Sequence, residues 1–210
     1  MSSQTRRTVM LGLSAAPLVT ALPAFAAEEP AAAATAVPFD GDVIIGDKDA
    51  PVTVYEYVSY TCGYCGRVHQ TVWPEIKATY VDTGKVKFVL RPFYRNTVDL
   101  DVDILSRCGG EEAFYPLADV YLNTQSVWTR HEDIPGAVRQ IARRAGMPEA
   151  RIDACLDDYD FKKTLVESFR ENAAAHDVQS TPTFVIGNTV HRGLISVEGL
   201  AEIIDSELGA

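Results

Sequence analysis

The stretch Val52-Thr53-Val54-Tyr55-Glu56-Tyr57-Val58-Ser59-Tyr60-Thr61-Cys62-Gly63-Tyr64-Cys65 runs a dense series of β-branched and aromatic residues straight into a C-x-x-C. Val52 to Val58 reads as a buried strand, because such side chains fit a pleated surface that is covered. Beyond the cysteines the period changes. From Arg67 to Val81 the apolar Val68, Val72, Ile76 and Tyr80 recur at helical spacing, with Gly84 as a stop. The spacing predicts a helix whose first turn holds Cys62 and Cys65, kinked at Pro74.

Working outward, Lys85 to Pro92 reads as a second buried strand, so strand, helix and strand form a unit that needs a parallel crossover. Between Val98 and Ala175 only helical patterns appear, punctuated by Gly109-Gly110, Pro135-Gly136, Gly146-Met147-Pro148 and Asp157-Asp158. Thr183 to Ile186, the turn Gly187-Asn188 and Thr189 to His191 predict a hairpin, and Val197 to Glu207 a last helix. The order is β-α-β, helices, β-β-α, an α/β chain.

A thiol at a helix's first turn meets unpaired backbone N–H groups and the positive end of the macrodipole, which favour thiolate over thiol. Cys62 is therefore the candidate attacking sulfur. Cys65, on the same side of the helix and shielded, would close a short disulfide with it. Glu56 is an acid in an apolar strand, costly to bury unless protonated or paired; strand geometry places it beneath the cysteines, where it could exchange a proton with Cys65, the alternative being an edge-facing glutamate in water. C-x-x-C is also a metal-ligand spacing, and His69 falls four residues after Cys65. Without a second close pair, no metal site is expected, and His69 is read as packing in the helix against a carbonyl. Thr181-Pro182 leads into the late hairpin, either as an edge-strand start or as a cis bond. Tyr60, Tyr64 and Phe93 are candidate exposed aromatics for an unfolded substrate, and His131, His176 and His191 read as surface or capping residues.

At the amino end, Arg6-Arg7, an apolar run from Val9 to Phe25 and Ala24-Phe25-Ala26 have the order of a signal peptide cut after Ala26. The arginine pair fits a twin-arginine signal or an ordinary secretory one. Pro17 and Pro23 interrupt the run, so a membrane-inserted mature chain is not expected. Losing Arg6 and Arg7 takes 19 basic residues to 17 against 29 acidic ones, a net charge of −12, which argues against nucleic acid as a partner. Ala27 to Pro38 reads as a mobile lead-in. Four cysteines behind an export signal suit a compartment where disulfides persist.

A C-x-x-C at a strand-to-helix junction, an acid six residues upstream, Thr181-Pro182 before a late strand and helices between the two halves make the chain, from Gly41 to Leu208, resemble the DsbA family. The resemblance implies a thioredoxin-like fold with an inserted all-helical domain: residues 1–26 signal peptide, 27–40 lead-in, 41–95 and 160–208 the thioredoxin-like part, 96–159 the helical insertion. It implies a periplasmic thiol-disulfide oxidoreductase without cofactor, in which Cys62 and Cys65 are catalytic and Glu56 is the family's buried acid. Pro182 is then cis against the disulfide, and Thr181, Pro182, Gly63 and Tyr64 meet the substrate. The implied partners are reduced or unfolded exported proteins and a membrane quinone-linked re-oxidase. It further implies a structural disulfide between Cys108 and Cys155, against two buried free thiols as the alternative. Gly63-Tyr64 and Thr181 are similar to those of the periplasmic disulfide isomerases, which keeps isomerase or dedicated reductase activity open. The short lead-in, with no room for a dimerisation domain, favours a monomeric oxidase. A metal- or peptide-holding module built on Cys62, Cys65 and His69 is the reading from another class.

Overall fold

The structure, a computed structural model, describes residues 39–209. The predicted signal peptide and all but the last two residues of the lead-in lie outside the described residues. Five strands, β1 (Ile44–Ile45), β2 (Val52–Val58), β3 (Val86–Pro92), β4 (Thr183–Ile186) and β5 (Thr189–Arg192), form one sheet in the order β1-β3-β2-β4-β5. β2 lies at its centre, parallel to β3 in the register Val52↔Val86 through Val58↔Pro92, and antiparallel to β4 with Glu56 opposite Phe184. The α/β architecture is the one expected.

Strand parity sorts the side chains of β2. Val52, Val54 and Val58 belong to the main core with Val68 and Val72, whereas Tyr57 faces the other way, against Ala173, Val178 and Val185. Glu56 shares the parity of Val54 and Val58, so its carboxylate enters the main core and is fully buried. The helix after β2 is α1 (Gly63–Thr71). The single kinked helix predicted to Val81 divides instead into α1, α2 (Trp73–Ile76) and a π-helical segment, Lys77–Val81. Pro74 has no N–H to continue the ladder, and it sits in the first turn of α2, where none is needed.

Between β3 and β4 the chain forms α3 (Thr97–Cys108), α4 (Glu111–Asn123), α5 (Gln125–Trp128), α6 (Ile134–Arg144), α7 (Glu149–Asp157) and α8 (Tyr159–Ala175), and α9 (Val197–Leu208) ends the fold. Pro135-Gly136, read as a break, opens α6: Asp133 caps it by accepting from the Gly136 N–H at 2.9 Å. One continuous core runs from sheet to helices, joining Val54 and Phe88 to Leu105, Leu122 and Ile152.

Cys108 at the end of α3 and Cys155 in α7 are both buried and bonded to each other, 47 residues apart in sequence, with Cα atoms 6.3 Å apart. Closing a loop of that length restricts the unfolded chain by about 4 kcal/mol. Cys108→Ala/Cys155→Ala is expected to lower the urea midpoint accordingly, with the slope little changed; an unchanged midpoint would show that the bond contributes nothing.

Candidate active site

Cys62 is the N-cap residue of α1, extended at φ −85° and ψ 114°. Its Sγ donates to the Thr181 carbonyl at 3.4 Å. The Cys65 thiol, opposed by burial and aided by the Thr181 side chain and the backbone N–H groups of Cys65 and Tyr64, lowers the Cys62 pKa from 9.0 to about 5. Cys65, one turn on, is pushed far upward, first by burial and then by its contact with Cys62 and the charges of Cys62 and Glu56. Cys62 is 6% exposed and Cys65 0%. One sulfur is thus poised at the rim to ionise readily, and its neighbour is a sealed thiol.

The helical layer holds the turn that presents them. Asp99 of α3 is fully buried and accepts from the N–H groups of Thr61 at 2.8 Å and Arg95 at 2.9 Å and from the Ser59 hydroxyl at 3.0 Å. Gln125, at the start of α5, donates from Nε2 to the carbonyls of Tyr60 at 2.6 Å and Cys62 at 2.9 Å. It can approach because residue 66 is glycine: a Cβ there would stand 2.7 Å from Gln125 Oε1. Neither Asp99 nor Gln125 was a sequence candidate.

On the other side of Cys62 the Thr181–Pro182 peptide is cis, which resolves the two options left by the sequence. Pro182 is buried, and its carbonyl accepts from the Gly193 N–H at 2.8 Å. Gly63 and Tyr64 are exposed beside Cys62, Tyr64 by 57%. No atom lies within 4 Å of a Cβ built on Gly63, so local packing does not demand glycine. Tyr60 is not an exposed aromatic: it is fully buried, its ring 6.5 Å from that of Tyr121. Phe93 is half-buried against Phe169 at 5.0 Å.

Beneath Cys65, Glu56 meets His69. Helical periodicity puts His69 one turn below Cys65, fully buried, with Nε2 3.1 Å from Glu56 Oε2 and Nδ1 3.0 Å from Asp119 Oδ1 of α4. His69 bonds two carboxylates, not the carbonyl expected of it. With both nitrogens engaged it does not offer a ligand toward the cysteines, and among the described residues no group of three His, Cys, Asp or Glu side chains is arranged to hold a metal ion. His131 is exposed, and His176 follows α8 as its C-cap, its Nδ1 2.8 Å from the Tyr57 hydroxyl.

A strand, a C-x-x-C at the N-terminus of the following helix and a cis-proline facing the first sulfur, on a mixed sheet, define a thioredoxin-fold dithiol protein. The thioredoxin family model Thioredoxin_4 matches residues 39–206, and the chain belongs to that family. A Rickettsia felis relative, named provisionally as a protein-disulfide oxidoreductase, is 32% identical over 170 residues, covering 80% of this chain and 61% of that one. The chain thus spans about six-tenths of that relative's length. Among solved structures, Wolbachia pipientis alpha-DsbA1 superposes with a TM-score of 0.73 at 24% identity, covering 85% of this chain and 96% of that one. A protein-disulfide isomerase from Novosphingobium aromaticivorans gives 0.70 at 23%, covering 83% and 100%. These likenesses establish a DsbA-type fold, helical layer included.

Proposed function

We propose that the protein is an exported thiol-disulfide oxidoreductase that donates a Cys62–Cys65 disulfide to reduced polypeptides. The observation that carries this is the unequal placement of the two sulfurs, Cys62 at the N-cap of α1 against the cis Thr181–Pro182 peptide and Cys65 sealed behind it; contact with Cys65 holds the Cys62 pKa down to about 5 while burial pushes Cys65 far up. A substrate thiolate attacks Cys62, the sulfur within reach. The Cys62–Cys65 bond breaks, and its electron pair leaves on Cys65, which takes up one proton. A second substrate thiolate then attacks the substrate sulfur of the mixed disulfide, and Cys62 departs as a stable thiolate. Two electrons pass from substrate to protein, and a low leaving-group pKa drives the last step.

Around the sulfur, the Thr181 backbone and Pro182 offer a surface for an extended substrate segment, with Gly63 and Tyr64 flanking it. Such main-chain recognition is indifferent to sequence and suits unfolded substrates. Glu56 serves as proton partner of Cys65. Among the described residues no helix is long and apolar enough to cross a membrane. The charged, apolar and small-residue order of residues 1–26 supports export to a periplasm, where a quinone-linked membrane oxidase would restore the disulfide.

Mixing the oxidised protein with a reduced, unfolded polypeptide carrying two cysteines tests the reading. One substrate disulfide is expected for each Cys62–Cys65 pair reduced, counted by thiol trapping; no transfer would overturn it.

A further inference from the structure

Resting on that exchange chemistry, we infer that His69 and Asp119 are positioning residues that keep Glu56 able to take the proton of Cys65 each time Cys65 attacks a mixed disulfide at Cys62. Three side chains on three elements, Glu56 of β2, His69 of α1 and Asp119 of α4, meet one helical turn beyond Cys65. Each ring nitrogen of His69 faces a carboxylate oxygen, Glu56 Oε2 at 3.1 Å and Asp119 Oδ1 at 3.0 Å. Between two ionised carboxylates a neutral imidazole, with one N–H, satisfies only one oxygen, whereas an imidazolium donates to both. Burial opposes that charge, but the charges of Glu56 and Asp119 and their hydrogen bonds outweigh it and raise the His69 pKa to about 9.

The second observation is what the cluster leaves open. Glu56 Oε1 is fully buried and has no hydrogen-bond partner, so with Oε2 paired to His69 one acceptor is unused. The other ionisable neighbours are Cys65 on the same helix and Tyr115 of α4, whose ionisation is pushed up by burial and then by Asp119 and Glu56; Trp73 closes the remaining side, its ring 6.1 Å from that of His69. Among these, His69 is the one basic side chain. His69 thus fixes Glu56 Oε2 and leaves Oε1 as the free acceptor in the cluster. Asp119, 31% exposed, faces the imidazole on the side away from Glu56 and keeps it charged from the rim.

The Cys65 S–H proton passes to the unpartnered Glu56 Oε1 by way of one relaying water, since no hydrogen bond joins the two directly; the freed electron pair forms the Cys65–Cys62 bond, and the bond from Cys62 to the partner sulfur breaks, so the partner leaves as a thiolate. No further oxidant or reductant enters, because the mixed disulfide is the electron acceptor.

The test uses the reduced full-length mature chain and glutathione disulfide as probe, with stopped-flow separation of Cys62 attack from Cys65 resolution between pH 5.5 and 9. In the wild type, resolution is expected to be flat across most of this range, because the base is internal. In His69→Gln it should fall at least tenfold at pH 7 and rise one decade per pH unit, as the proton must then go to hydroxide, while Cys62 attack stays within about twofold. Asp119→Asn, at the rim, should shorten the plateau from its alkaline side by at least one pH unit, and Asp119→Glu should restore it; this pair decides the matter if His69→Gln does not fold. Variant profiles parallel to the wild type, or equal slowing of both steps, would overturn the inference while leaving the exchange reading intact. A wild type that fails to react with glutathione disulfide would overturn both.

Discussion

Cys62→Ser is expected to reduce disulfide transfer to the uncatalysed background. A serine hydroxyl cannot form the bond that is transferred, and the remaining sulfur, Cys65, is fully buried and held as a thiol. Uncharged thiols are poor nucleophiles, so nothing in the site substitutes for the lost one. Cys65→Ser should fail differently. Its Cys62 remains reachable and reactive, so a mixed disulfide with a substrate or with glutathione should accumulate for want of the resolving sulfur. Non-reducing gels and intact-mass measurement of the two variants separate these outcomes. Transfer retained in Cys62→Ser would place the chemistry elsewhere in the chain.

The second large effect is in pH. Alkylation of Cys62 in the reduced protein should be half-maximal at about pH 5, and Cys65 should stay unreactive well past the range in which ordinary cysteines ionise. The same shift governs stability. Because the folded-state pKa of Cys62 lies below its ordinary value of 9.0, the thiolate's contribution to the reduced fold is complete above about pH 9 and drains away as pH falls through about 5. The slope between those limits is about 1.4 kcal/mol per pH unit. The stability of the reduced form relative to the oxidised form should therefore shrink steadily from pH 9 to pH 5, followed by paired urea titrations. An alkylation midpoint above pH 8, with a pH-independent difference, would mean that the helix terminus and Cys65 do not stabilise the thiolate.

Much of the scaffold could be read from local pattern, because β2, β3, the β4–β5 hairpin and α9 each carry a period of 2 or 3.6 in their own residues. β1 could not: two isoleucines, Ile44 and Ile45, are too few to show a period, and only pairing with Phe88 and Val89 makes them a strand. Pro74 was visible as a disturbance, yet whether a proline kinks a helix or restarts one depends on which carbonyls are free four residues earlier.

The candidate site divides along the same line. Cys62, Cys65 and Pro182 stand in short motifs whose chemistry is local. Asp99, Gln125 and Asp119 act on them from helices 37 to 63 residues away from Cys62 or 50 from His69, and one sequence holds no record of which distant residues face each other. His69 was half legible. Its spacing from Cys65 puts it on the inward face, and strand parity turns Glu56 toward that helix, but only the folded core brings the two within 3.1 Å.

The reduction potential of the Cys62–Cys65 couple tests most directly whether this site donates disulfides. Equilibration of the mature protein in glutathione buffers, read by Trp73 fluorescence and thiol trapping, is expected to give a value near the oxidising extreme of the fold, about −120 mV, because the reduced form carries a stabilised thiolate. A value near that of thioredoxin, about −270 mV, would contradict donation and make the protein a reductase.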